Sequence, residues 1–168
     1  MNISIRDARP ADYVAILDIY NDVVETSTAI YCDDPADMAF IEAYVKGRED
    51  GGFPFFVAES AGEIAGYGSF GVFRPRPGYR FTVEHSVHAR KDTRGRGIGS
   101  ALMTDLIERA RDDGYKVMLG AVDSENAGSL EFHRRLGFET HNALPNVGRK
   151  FDRWLDMTFV TLQLDGAA

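Results

Sequence analysis

The chain has a single cysteine, Cys32, which excludes an intramolecular disulfide and a cysteine metal cluster. It lies in Ala29-Ile30-Tyr31-Cys32-Asp33-Asp34, far along the chain from every histidine, and reads as a plain thiol rather than a nucleophile. The four histidines show no His-Glu-x-x-His spacing, so no metal site is expected. No run approaches the ~18 apolar residues that span a bilayer. The segment Met1-Asn2-Ile3-Ser4-Ile5-Arg6 lacks the basic-then-apolar pattern of a secretion signal. A cytoplasmic protein with no membrane partner is expected. Basic side chains number 19 against 26 acidic, a net charge of −7, which argues against a nucleic-acid partner. There is no internal repeat, linker or low-complexity run, and residues 1–168 read as one domain. A chain of this length buries about two-thirds of its unfolded surface.

The informative stretch is Arg94-Gly95-Arg96-Gly97-Ile98-Gly99. It separates a strand-like run, Tyr79 to Ala89, from a helical one, Ser100 to Asp113. Glycines at alternate positions let backbone N–H groups converge on a phosphate, and the helix N-terminus adds about half a positive charge there. His88 to Arg96 also gathers Arg90, Lys91, Arg94 and Arg96 against Asp92 alone. Such a local basic patch on an acidic protein suits a small polyanion. No Gly-Lys-Ser/Thr follows the glycines, which excludes a P-loop nucleotide hydrolase.

Around this loop the chain alternates elements. Ile3 to Arg6 forms a short strand. Asp12 caps a helix with Tyr13, Ile16, Leu17, Tyr20, Val23 and Val24 on one side, and the polar run Asn21 to Thr28 leads away from it. Asp34 and Pro35 open a second helix with Met38, Ile41, Tyr44 and Val45 on one face. Residues 53–59 and 64–73 make a hairpin, followed by the breaker-rich Arg74-Pro75-Arg76-Pro77-Gly78. In the next strand Phe81, Val83, His85, Val87 and Ala89 share one face, and Thr82, Glu84, Ser86 and His88 the other. Val117 to Val122 is apolar throughout, as in a strand covered on both sides. Asn126 caps a short helix ended by Gly137, then come Phe138-Glu139-Thr140 and a last strand, Trp154 to Leu162. The order is βααβββαβαββ, an α/β chain. Strand 80–89, helix 97–113 and strand 117–122 form a right-handed crossover joining a parallel pair.

These features resemble the Gcn5-related N-acetyltransferase (GNAT) superfamily over nearly the whole chain. Arg94 to Gly99 matches its (Q/R)-x-x-G-x-(G/A) acyl-CoA loop, and Asn126-Ala127-Gly128-Ser129 with Leu136-Gly137-Phe138 matches its later signature. Asn21-Asp22, Glu25 to Thr28, Thr82 to Val87 and Gly148 to Asp156 are similar to the phosphinothricin and methionine sulfone acetyltransferase branch. That branch acetylates the α-amine of phosphinothricin, methionine sulfone and methionine sulfoximine, and its members are commonly homodimers. The resemblance implies the GNAT fold, a mostly antiparallel mixed sheet whose parallel pair, 80–89 and 117–122, splays apart. It implies acetyl-CoA as co-substrate, held by backbone groups of Val87, His88 and Ala89, by the loop Arg94, Gly95, Arg96, Gly97, Ile98, Gly99 and Ser100, and by Asn126. It implies acceptor contacts from Phe73, Arg74, Pro75 and Arg76 and from Glu84, His85 and Ser86. The branch's pattern has a tryptophan and an aromatic or small residue near that loop, where this chain carries Phe73 and Arg76.

Direct acetyl transfer needs a neutral amine, a polarised carbonyl and a proton for the leaving thiolate. Glu84 is the candidate base, the Val87 N–H the candidate oxyanion donor, and His133 a candidate proton donor. Arg74 or Arg76 suits the acceptor's carboxylate, and Phe151-Asp152-Arg153-Trp154 is a candidate subunit contact. A protein or peptide amine as acceptor, and a non-catalytic acyl-CoA sensor, remain as alternatives at this stage.

Overall fold

The computed structural model describes residues 3–164; Met1 and Asn2, part of the N-terminal segment read above, lie outside the described residues. Eight strands form one sheet: β1 (Ile3–Asp7), β2 (Phe55–Ser60), β3 (Glu63–Val72), β4 (Thr82–Ala89), β5 (Val117–Asp123), β6 (Glu139–Thr140), β7 (Leu144–Lys150) and β8 (Arg153–Gln163). The helices are α1 (Tyr13–Thr26), α2 (Met38–Asp50), α3 (Ile98–Asp112) and α4 (Ala127–Arg135). The sheet order is β1-β2-β3-β4-β5-β8-β6, with β7 paired to β8. All pairings are antiparallel except β4 with β5.

That parallel pairing stops early. It joins Thr82 to Val117, Val83 to Met118 and Glu84 to Leu119. Beyond Glu84, β4 continues on β3 as far as Ala89, while β5 continues on β8 to Asp123. The two strands diverge as expected, and the sheet has an opening at its centre.

The core lies where the apolar periodicities place it. Met103, Leu106, Ile107 and Ala110 of α3 pack on Phe70, Val83, Met118 and Val160 of the sheet, and Leu102 with Ile98 on Ala58 and Ala65. On the other face, Ile16 and Ile19 of α1 and Ile41 and Val45 of α2 cover Phe55, Val57 and Tyr67.

Four expectations change. Asp12 precedes α1 without capping it; its carboxylate is engaged by Arg6 at 2.7 Å and by the Arg9 amide. α1 runs on through the polar Asn21 to Thr26, because Val23 and Val24 are buried and Thr26 Oγ1 donates back to the Asp22 carbonyl. α2 starts three residues later than Pro35, where Asp37 accepts from the Phe40 amide. The stretch between Thr140 and Trp154, to which no element is assigned from sequence, contains the extra strand β7, making the order βααβββαβαβββ. β7 joins β8 through Phe151 and Asp152, both at positive φ (52° and 56°), the conformation of a two-residue hairpin turn.

Candidate active site

The glycine loop and the end of β4 build one side of the site. Gly95 and Gly97 adopt φ of 75° and 88°, which glycine reaches without steric cost. The first hydrogen bond of α3 runs from the Ala101 amide to the Gly97 carbonyl. The amides of Ile98, Gly99 and Ser100 therefore precede the helical ladder and are available to a ligand. Among the described residues, no atom beyond its two chain neighbours lies within 4 Å of a Cβ built on Gly95, so the space beside the loop is open. It belongs to a cavity of about 490 Å³ bordered by Arg94, Gly95, Gly97, Gly99, Ser100, Gly128 and Arg135. These features fit the pyrophosphate of a nucleotide-type ligand such as acetyl-CoA. The basic patch is partly neutralised: Arg90 is paired to Glu63 and Asp92, and Arg94 to Asp22. Arg96 is exposed.

Backbone alternation decides what faces the opening. The Phe81 carbonyl accepts from the Lys116 and Val117 amides, so odd-numbered residues of β4 point their peptide groups toward β5. The Ser86 and His88 carbonyls instead lie against Gly68 and Gly66 of β3. By the same period Val87 and Ala89 turn their N–H and C=O groups into the opening. His88 departs from its expected backbone contact, because its peptide group faces β3. Its imidazole borders the cavities and bonds Ser86 Oγ at 2.9 Å.

On the opposite side lies a cavity of about 460 Å³. Glu84, His85 and Ser86 border it together with Tyr20, Phe40, Tyr44, Tyr67, Arg48 and the loop Ala29-Ile30-Tyr31. The two sides communicate. A cavity lined by Val87, Ala89, Gly95, Gly99 and Asn126 continues the space of the glycine loop. A small one of about 90 Å³ between His85, Ser86, Val87, Ala121, Asn126 and His133 links it to the Glu84 cavity. One passage thus crosses the sheet where β4 leaves β5. Asn126, besides lining it, caps α4 by accepting from the Ser129 amide at 3.0 Å.

Burial raises the Glu84 pKa, opposed by the Arg48 guanidinium. His85 and His88 are pushed down to about 3 and about 4, chiefly by burial, and His133 is also lowered by burial. Three neutral imidazoles follow at neutral pH. The Ser129 carbonyl can only accept, so His133 Nδ1 carries a hydrogen toward it at 2.7 Å. His133 Nε2 then accepts from His85 Nε2 at 3.2 Å, and the buried His85 Nδ1 has no partner among the described residues. In this arrangement His133 holds the His85 ring, which stacks on it and fills the space that Gly120 leaves open.

Acid stability reports the same burial. In the unfolded chain His85, His88 and His133 titrate near 6.5, while in the folded protein burial makes these three resist protonation, so stability is lost as pH falls below 6.5. Each histidine adds a slope of up to about 1.4 kcal/mol per pH unit, and Glu84, whose raised pKa acts in the opposite sense, offsets part of it. Urea midpoints should fall between pH 6.5 and 5, with a shallower fall for His85→Gln. Flat midpoints would show that the imidazoles are not held neutral.

Phe73, Arg74, Pro75 and Arg76 do not border the Glu84 cavity. The Phe73 ring packs on Tyr79 and Phe159, and Arg74 lies over the Phe73 and Tyr79 rings at 5.3 and 5.8 Å. The proline-rich loop packs on Phe73, Tyr79 and Phe159, which places these four residues outside the wall of the Glu84 cavity among the described residues. Arg48 supplies the cationic group instead. It follows Tyr44 by one helical turn and lies 5.4 Å from that ring, a spacing that α2 shows in sequence but that resembles an ordinary solvated face.

Loop 29–31 was also unforeseen as a site wall. Lys150, 1% exposed, donates from Nζ to the Ser27 and Ile30 carbonyls at 2.7 Å each. Thr28 Oγ1 donates to Asp123 at 2.5 Å, and Gly148 leaves room for the Tyr31 ring. Lys150→Met should cost about 1–3 kcal/mol in a denaturant titration and raise acceptor KM. Unchanged stability would mean that the loop is held otherwise.

Comparison with known proteins agrees with this architecture. A profile described as the Acetyltransferase (GNAT) family matches residues 16–138. An L-methionine sulfoximine/L-methionine sulfone acetyltransferase from Pseudomonas paraeruginosa is 52% identical, over 98% of this chain and 96% of its own. An N-acetyltransferase from Staphylococcus aureus superposes with a TM-score of 0.95 at 38% identity, covering 98% of this chain and 100% of its own. A phosphinothricin acetyltransferase from Sinorhizobium meliloti, solved in complex with acetyl-CoA, does so with 0.93 at 34% identity over 97% and 89%. The chain belongs to the GNAT acetyltransferase family.

Proposed function

We infer that this protein transfers acetyl from acetyl-CoA to the α-amine of a small amino-acid analogue of the methionine sulfone, methionine sulfoximine or phosphinothricin type. The observation that carries the reading is the passage through the sheet. It joins a phosphate cradle on one side to a carboxylate of raised pKa on the other. The 52% identity to a methionine sulfoximine/sulfone acetyltransferase supports the acceptor class.

The amides at Ile98, Gly99 and Ser100 bind pyrophosphate, and the Val87 and Ala89 peptide groups align the pantetheine end in the opening. Acetyl-CoA supplies an acyl group activated as a thioester. Glu84 takes the proton of the acceptor ammonium, directly or through water, which frees the nitrogen lone pair. The Val87 N–H donates to the carbonyl oxygen as the C–N bond forms and negative charge builds there. A donor of this kind is worth on the order of 3 kcal/mol. The C–S bond then breaks, the nitrogen made cationic by its attack loses its remaining extra proton, and the leaving thiolate takes that proton up to give CoA thiol and the amide.

A screen of CoA release tests the reading. Amino acids, their sulfone, sulfoximine and phosphinic analogues, and peptide N-termini are offered in parallel. Turnover is expected with the analogues; preference for peptides, or acetyl-CoA binding without turnover on any amine, overturns it. Acetylation removes the α-ammonium by which such analogues imitate amino acids, so the role would be detoxification in the cytoplasm. Phe151 and Trp154, 50% and 63% exposed at the β7–β8 hairpin, would be covered in a homodimer. Sedimentation at a dimer mass, lost in Trp154→Glu, is the expected result.

A further inference from the structure

We propose that Arg48, together with the Tyr67 hydroxyl, is the receptor for the acceptor's α-carboxylate and so selects free amino acids over other amines. This rests on the amino-acid acetyltransferase reading above.

The position of Arg48 relative to the base carries the argument. In the β3–β4 register Gly71 lies directly opposite Glu84. A Cβ at Gly71 would overlap the Arg48 guanidinium, so that group occupies the place of the missing side chain, beside Glu84 on the same sheet face. Directly opposite residues of an antiparallel pair hold their side chains about 4.5–5.5 Å apart. A base and a guanidinium at that separation match an α-amino acid, whose ammonium and carboxylate are carried by one carbon.

The guanidinium is also unclaimed. Arg6, the comparable part-buried arginine, is paired to Asp12 and Glu59. Arg48 makes no ion pair among the described residues, and its Nε is buried without a hydrogen-bond partner. The fully buried Tyr67 borders the same cavity and its hydroxyl has no partner either. Orphaned buried donors are costly to maintain, and a planar fork of N–H groups is the geometry that receives a carboxylate. The Tyr44 ring fixes the fork from one side.

A purely structural Arg48, stacked on Tyr44 and tuning Glu84, predicts something different. The experiment compares methionine sulfone with its α-carboxamide as acceptors for the wild type, Arg48→Gln, Arg48→Lys and Arg74→Gln. Acetyl-CoA affinity by calorimetry serves as the check on folding. For the acid, Arg48→Gln should raise KM about 10- to 100-fold, the range expected for a charge-assisted contact. For the amide, which offers no anion, it should change KM little. Arg48→Lys, keeping the charge but not the fork, should fall between them. The acidic limb of the pH–rate profile should move to higher pH in Arg48→Gln and stay in Arg48→Lys. His85 and His88, the other titratable groups beside Glu84, are neutral over that range.

Equal losses for acid and amide, or none, overturn the assignment while leaving the acetyltransferase reading intact. So does a loss for the acid that appears in Arg74→Gln instead. A wild type that releases no CoA with any amino acid overturns both.

Discussion

Glu84→Gln should lower kcat about 10²- to 10⁴-fold, the usual range for a positioned acid–base group, with acetyl-CoA affinity unchanged. The amine must be deprotonated before it attacks, and a protonated Glu84 cannot accept its proton. Because burial raises the Glu84 pKa, the rate of the wild type should fall as pH drops through that raised value. His85 and His88 cannot produce this limb above pH 5, since theirs lie at about 3 and about 4. The limb should flatten in the variant, as read in kcat/KM for the acceptor between pH 5 and 9. An unchanged profile would remove Glu84 from the chemistry and leave the acceptor to lose its proton to solvent unaided.

The second large effect falls on the other side of the sheet. Gly97→Asp should weaken acetyl-CoA binding by about 100-fold or more in calorimetry. Three causes act together: a φ of 88° that only glycine adopts without strain, a carboxylate that competes for the amides at the start of α3, and like-charge repulsion of the pyrophosphate. The fold should survive. Gly97 is exposed, and the nearest atom to an added Cβ is Ile3 Cδ1 at 3.9 Å. Gly97→Ala, which carries the backbone strain without the charge, should give a smaller loss. Near-normal affinity in the aspartate variant would move the pyrophosphate elsewhere.

What could be read in the sequence is what a short segment encodes by itself. The glycine loop, the Asn126 cap, the turn at Gly137 with φ of 89° and the apolar stripe of α3 each depend on neighbours within a few residues. The parallel pairing of β4 and β5 followed from the crossover rule alone. The boundaries of α1 and α2 did not, because several residues compete to start or stop each helix, and burial of Val23 and Val24 and the bond from Asp37 to the Phe40 amide decided between them. β7 carries Pro145 and Gly148, residues that weaken a strand pattern in sequence and are tolerated at the sheet's edge.

The acceptor side was the least legible, since its residues meet only in three dimensions. Lys150 reaches Ser27 across 123 positions of sequence, and Thr28 reaches Asp123 across 95. Arg48 looks in sequence like any charge on an exposed helical face; only the absence of a side chain at Gly71, on a different element, gives its guanidinium a place beside Glu84. Arg74 and Arg76 were the more visible candidates because they flank the prolines of an obvious loop. That loop packs on Tyr79 and Phe159 instead.

The central claim is that the two substrates meet at the divergence of β4 and β5, one from each face of the sheet. A crystal structure with CoA and methionine sulfone tests it most directly. The account predicts the pyrophosphate against the amides of Ile98 to Ser100, the thiol in the opening beside Val87, and the amine of the sulfone at Glu84 with its carboxylate on Arg48. An acceptor bound outside the Glu84 cavity, or a thiol that does not enter the opening, would contradict it.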